Sequence, residues 1–176
     1  ALTSFELLFL YQMAANYRFV TKKLKKTRGS FRPKTAVIVP CKGIDNEFEI
    51  NITSVYYQDY DNFVLYFVTD SEKDPAYSKL CELRDRLAVG SETLDVKILT
   101  AGPAGRCSQK IHNLLHCINQ IGDDIEVLAF ADSDACLRSD WLVQLIHHLR
   151  KEKTGVTTGY RWFIPKRSNL ATLALS

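Results

Sequence analysis

Four short apolar runs, each separated from the next by a segment with helical spacing, constrain this chain more than any other feature. Thr35-Ala-Val-Ile-Val39 is continuous and is stopped by Pro40. Phe63–Thr69, Val96–Leu99 and Val127–Ala131 are the other three. Apolar runs of this length without alternation read as strands buried on both faces. Between the first two runs, Phe48, Ile52 and Val55 fall on one helical face. Asp74-Pro75 then places a capping residue before a proline at a first helical position, opening a helix through Tyr77, Leu80 and Leu87. Ile111, Leu114, Leu115 and Ile118 repeat at i, i+3, i+4, i+7, and Trp141, Leu142, Leu145, Ile146 and Leu149 stripe the next helix. Val156–Ile164 reads as a fifth strand. This order predicts an α/β domain with a mostly parallel sheet and flanking helices.

The 176 residues suffice for one domain with a core of its own. Their 46% hydrophobic and 24% charged content excludes disordered and fibrous classes. Five cysteines without a CxxC pair argue for free thiols rather than a disulfide framework or zinc ribbon. On that reading the sequon Asn51-Ile52-Thr53 is idle. The charge is uneven. Residues 1–34 carry eight bases and one acid, a net +7, and the remainder carries 15 bases and 19 acids, a net −4. A basic arm ahead of an acidic domain fits a solvated linker or, more sharply, a segment facing anionic lipid from the cytoplasmic side. Nucleic acid is not expected as a partner, because no basic face continues the arm. The aromatic-rich apolar stretch Ala1–Tyr11 reads as an interfacial helix, as the end of a membrane helix, or as a helix packed on the domain. Both ends read as cut, with 166–176 opening a further helix. The expected division is 1–34 as apolar segment and arm, 35–165 as the domain, and 166–176 as the start of the next element.

In such a sheet, ligands bind beyond the carboxyl ends of the strands. Those ends carry Pro40-Cys41-Lys42-Gly43, Asp70, Thr100-Ala101-Gly102 and Asp132-Ser133-Asp134. Two carboxylates one residue apart at a strand exit suit Mg²⁺ or Mn²⁺, which take few protein oxygens and complete their shell with substrate phosphate. The plainer alternative is a turn in which the aspartates cap backbone groups. Asp70 is placed to accept from a base or ribose, or simply to open a turn. Lys110, near a helix N-terminus, suits a diphosphate, or is a solvated helix lysine. GxGxxG and GxxxxGK[ST] are absent, which disfavours dinucleotide cofactors and P-loop chemistry. His112 and His116 lie four apart without the glutamate of a zinc protease, and His147-His148 are adjacent, so all four read as helix-face residues. Cys107, Cys117 and Cys136 have no base at a recognisable spacing.

The order Val37-Ile38-Val39-Pro40-Cys41-Lys42-Gly43, Val68-Thr69-Asp70, Gly105–Leu114 and Phe130-Ala131-Asp132-Ser133-Asp134 resembles glycosyltransferase family 2. It is most similar to the ceramide glucosyltransferase branch, through the P-x-K-G turn and the Q-K-I-x-N-L segment. The resemblance covers about residues 35–165. It implies a GT-A fold, the Rossmann-like fold of nucleotide-diphospho-sugar transferases, here truncated. It implies transfer of a sugar, glucose in that branch, from a UDP-sugar to a lipid hydroxyl at a membrane, with Mn²⁺ or Mg²⁺ as cofactor. Carried over motif by motif, Asp70 contacts uracil, Asp132 sits by ribose and metal, and Asp134 binds the metal. Lys110 lies near the nucleotide, and Pro40, Lys42 and Gly43 line the uridine pocket.

The family's catalytic base and its QxxRW motif lie further along a chain than the DxD segment, so both are expected beyond Ser176. Arg161-Trp162 follows Asp132-Ser133-Asp134 too closely to be that motif, since Thr158-Gly159-Tyr160 precede it. Should these residues suffice for transfer, Asp123, Asp124 and Asp140 are the substitute bases. A phosphohydrolase of the haloacid dehalogenase type also carries DxD after an apolar strand. It wants the pair at the first strand with Thr or Val two residues later, where this chain has Cys136. A non-catalytic module that binds nucleotide sugar or docks on a membrane is the third reading.

Overall fold

The computed structural model describes residues 3–24, 30–88 and 94–159. Its elements are α1 (Ser4–Leu24), β1 (Thr35–Pro40), α2 (Phe48–Tyr56), β2 (Phe63–Thr69), α3 (Pro75–Ala88), β3 (Asp95–Thr100), α4 (Gln109–Ile118), β4 (Val127–Phe130) and α5 (Trp141–His147), with a 3₁₀ turn over His148–Arg150. The four apolar runs are the four strands, and every pairing is parallel, in the order β3-β2-β1-β4. The two central strands are covered on both faces. This is why β2 is buried at every position and β1 at all but its last.

Alternation along the strands divides the core in two. Val37, Val39, Leu65 and Phe67 face α2, α3 and α5, packing with Phe48, Ile52, Leu80, Leu83, Leu142 and Ile146. Ala36, Ile38, Val64, Tyr66 and Val68 face the other way, onto Cys117, Leu114 and Ile118 of α4. Asp74 caps α3 as its sequence predicts, accepting from the Ala76 N–H at 2.8 Å.

The order reverses beside β1. From β1 the sheet grows outward through β2 to β3, with α2 and α3 on one face. The chain then returns through α4 on the opposite face to lay β4 against the other side of β1. The carboxyl ends of β1 and β4 therefore flank the topological switch point, where loops diverge and leave a crevice.

Three expectations need correction. The fifth strand is not formed over Val156–Gly159. Val156 is 85% exposed, the Thr157 hydroxyl donates to the Leu145 carbonyl at 3.0 Å, and Gly159 lies against Leu145 and Trp141, so this segment runs over α5 instead of joining the sheet. Tyr160–Ile164, the Arg161-Trp162 pair, and 166–176 lie outside the described residues. The α4 stripe is only half core. Leu114 and Ile118 pack inward, but Ile111 and Leu115 are exposed and the buried positions are Asn113 and Cys117. The helix is rotated so that polar side chains meet the strand ends. Finally, α1 does not pack on the domain. Phe5, Leu7, Leu8, Phe9, Leu10 and Tyr11 are all exposed. Among the described residues no helix is long and apolar enough to cross a membrane.

Candidate donor-binding site

The crevice at the switch point is a cleft of about 260 Å³ lined by Pro40, Cys41, Lys42, Gln109, Lys110, Asn113, Asp132, Ser133 and Asp134. Three segments meet there: the turn after β1, the first turns of α4, and the loop after β4. Of the residues expected from sequence, the cleft unites Pro40, Lys42, Lys110, Asp132 and Asp134. Gly43 and Asp70 are not in its lining. Gly43 turns the chain away from β1 at φ +66°, a left-handed conformation that favours glycine. Asp70 follows β2, where its carbonyl accepts from the Gly102 N–H at 2.9 Å and its Oδ1 from the Ser71 hydroxyl at 3.3 Å.

Each lining segment is held by specific bonds. The Gly43 N–H donates to Asp74 Oδ1 at 2.9 Å, the oxygen that also caps α3, so one buried carboxylate fixes both the turn after β1 and the start of α3. Cys41 is buried beside it, and burial, with the Asp74 charge second, pushes its thiol far above the ordinary range. A nucleophilic role for that thiol is thereby disfavoured.

The start of α4 is held by a polar clamp. Ser108 caps it, its hydroxyl accepting from the Ile111 N–H. Gln109 accepts from the Ala104 N–H at 2.9 Å and donates to the Gly102 carbonyl and to Asn113 Oδ1, both at 2.8 Å. His112 Nε2 meets the Ala101 carbonyl at 2.9 Å, and Asn113, 2% exposed, donates to the Val68 carbonyl at 3.2 Å. Gln109, His112 and Asn113 thus tie α4 to the ends of β2 and β3. Sequence reasoning gave roles to none of them, although Gln109 and Asn113 stand in the quoted motif. The signal was two amides four apart at a helix start, one placed where the apolar stripe predicts the inward face. The HxxxH pair does not converge on a metal, because His116 bonds Gln120 while His112 bonds the loop. Asn51 of the sequon is buried in α2, which closes it to modification in the folded chain.

With α4 fixed, Lys110 extends from its second residue to Asp132, with which it forms an ion pair. The loop carrying Asp132-Ser133-Asp134 is secured further on. Ser54 Oγ accepts from the Leu137 N–H at 2.9 Å, and Gln58 bonds both the Arg138 carbonyl and the Leu142 N–H at 3.0 Å. Cys136 within it is exposed, as is Cys107 ahead of α4.

The donor chemistry of this cleft fits a small hard cation. Asp132 and Asp134, from one loop, would supply carboxylate oxygens to such an ion. That is the pattern of an ion held by one or two carboxylates plus substrate phosphate, rather than of a closed protein cage.

The profile of glycosyl transferase family 21 matches residues 3–173, nearly the whole chain. The chain belongs to that family. The motif order resembles family 2 and the matching family model is that of family 21, and both are glycosyltransferase families. No curated protein matches the chain. Among solved structures, the mannosyltransferase PcManGT from Pyrobaculum calidifontis, determined with GDP-Man and Mn²⁺, is similar at a TM-score of 0.58 and 20% identity. The similarity covers 81% of this chain and 41% of that one, so the family 21 chain spans well under half of PcManGT. TarS 1–349 from S. aureus is similar at a TM-score of 0.40 and 21% identity over 60% of this chain and 29% of that one. At the level of fold, the α/β sheet with its flanking helices is the GT-A arrangement expected from the motifs.

Proposed function

We propose that this family 21 chain forms the donor-binding part of a metal-dependent glycosyltransferase. The enzyme moves a sugar, glucose in the ceramide glucosyltransferase reading, from a UDP-sugar to a lipid hydroxyl. One observation carries the proposal: Asp132, Asp134, Lys42 and Lys110, from three segments far apart in sequence, line one cleft at the switch point of the sheet. PcManGT, solved with a nucleotide sugar and Mn²⁺, supports a donor and cation of that general kind.

Asp132 and Asp134 would hold the cation, and Lys110 would lie near the diphosphate. The first turn of α4 adds partial positive charge through its N–H groups. A bound Mn²⁺ or Mg²⁺ would supply charge stabilisation for the departing UDP. Pro40 and Lys42 border the uridine side, and Asp70, one strand further along the sheet edge, receives the uracil. Gly43 keeps its turn free of a side chain. No residue of the cleft is assigned as the catalytic base or as an acceptor contact.

The same reading places the domain on the cytoplasmic side of a membrane. The first turns of α1 expose Phe5, Leu7, Leu8, Phe9 and Leu10 with Glu6 as their one charge, and the basic arm follows. Two bases of the arm are already used by the domain. Arg32 pairs with Asp61 at 3.1 Å, and Lys34 pairs with Asp124.

The test measures binding of UDP-glucose to these 176 residues with and without Mn²⁺, beside an assay of transfer to a ceramide-like acceptor. Mn²⁺ should strengthen UDP-glucose binding while glycolipid stays undetectable from residues 1–176, because a positioned base contributes roughly 10²–10⁴-fold and acceptor orientation contributes further; equal binding with and without Mn²⁺ would overturn the proposal. Robust product from residues 1–176 alone would place the base within them and turn attention to Asp123, Asp124 and Asp140.

A further inference from the structure

The ion pair between Lys110 and Asp132 sets a cation of the protein on a carboxylate that the proposed function assigns to the metal. Its two side chains are 55% and 42% exposed, so they can part without disturbing the core. The backbones beneath them are not free in the same way. Lys110 stands on a helix start fastened by Ser108, Gln109, His112 and Asn113. Asp132 leaves a strand paired along its length with β1. Rearrangement at this point is therefore confined to the two side chains, of which the lysine, with its four-carbon stem, reaches furthest from one Cα.

We infer that Lys110 is a counter-ion that changes partner. Without ligand it neutralises Asp132. When a divalent cation takes that carboxylate, the ammonium group turns to the diphosphate of the donor. Two consequences follow from charge alone. Lys110 competes with the cation when no nucleotide is present, since a metal reaching Asp132 must break the existing pair. It favours the nucleotide when the cation is present, because the displaced ammonium gains phosphate oxygens as partners. Metal and nucleoside diphosphate then bind cooperatively, each removing an obstacle to the other. Lys110 is a positioning residue in the first state and a ligand-binding residue in the second. The inference rests on the donor-site reading above, and its signature is a pair of effects of opposite sign.

The experiment measures two affinities on the purified chain by calorimetry, Mn²⁺ alone and UDP in saturating Mn²⁺, for the native chain, Lys110→Met and Lys110→Arg. Circular dichroism and melting temperature verify folding. An exposed ion pair contributes roughly 0.2–1 kcal/mol, so Lys110→Met should tighten Mn²⁺ binding about 1.4- to fivefold. Loss of a charged hydrogen bond to phosphate should weaken UDP binding roughly tenfold or more. Lys110→Arg keeps the charge and should stay near the native values in both arms. Unchanged or weaker Mn²⁺ binding by Lys110→Met, or unchanged UDP binding, overturns the exchange while leaving the donor site intact. Failure of the native chain to bind UDP with Mn²⁺ would overturn the donor-site reading, and this inference with it.

Discussion

The two faces of the sheet are built by different chemistry. On one, α2, α3 and α5 press Phe48, Ile52, Leu80, Leu83, Leu142 and Ile146 onto the strands, and apolar burial holds the fold. On the other, α4 has a small apolar patch centred on Cys117, and its first turns are held by Gln109, His112 and Asn113 bonding to strand-end backbone. Apolar packing is non-directional and fixes a helix against a sheet. Hydrogen bonds to named carbonyls fix one turn of a helix against one strand end. The first face keeps the chain folded, and the second sets where Lys110 stands relative to Asp132.

Substitutions separate the two. Leu80→Ala, at a fully buried α3 position, should cost about 2–5 kcal/mol in urea unfolding, with UDP affinity unchanged among molecules that remain folded. A matching fall in affinity would erase the distinction between the faces. Asn113→Ala should cost about 0.5–1.5 kcal/mol for each bond it removes, although the Val68 carbonyl keeps the Cys41 N–H and the Gln109 amide keeps the Gly102 carbonyl. UDP affinity should fall as well, and an affinity that holds steady would show the clamp to be structural only.

Gly43→Ala should cost about 1–2 kcal/mol, since a Cβ there meets open space but not a favourable backbone angle. A smaller loss would mean that the turn adjusts. The thiols offer the mildest probe. Burial pushes Cys117, beneath α4, up to about 12, against roughly 8.5 for an unfolded thiol. The unfolded thiol ionises first, so its contribution to stability is full below about pH 8.5 and declines as pH rises toward 12. Native alkylation at pH 8 should mark exposed Cys107 and Cys136 and spare Cys41 and Cys117. Rapid labelling of Cys117 would show that α4 opens easily.

The strands were legible because β1 and β2 are buried on both faces and are apolar between the buried threonines Thr35 and Thr69 at their ends. β4 was legible to within one residue. The carboxylates of the site were legible because a strand end followed by Asp132-Ser133-Asp134 says where the aspartates stand. The clamp was not. A buried Asn113 within an apolar stripe looks like an interruption until the Val68 carbonyl is seen opposite it. Val156–Gly159 misled for the converse reason, because β propensity says nothing about whether a sheet edge is within reach. The fate of α1 also depends on partners that local sequence does not name.

Calorimetry of UDP with and without Mn²⁺, on the native chain and on Asp134→Asn, tests the central claim most directly. If Asp132 and Asp134 hold a cation that bridges to the diphosphate, Mn²⁺ should strengthen UDP binding by about tenfold or more in the native chain. Asp134→Asn should abolish that gain and leave the metal-free affinity unchanged. Equal UDP affinity with and without Mn²⁺ in the native chain would contradict the assignment of this cleft as a metal-assisted donor site.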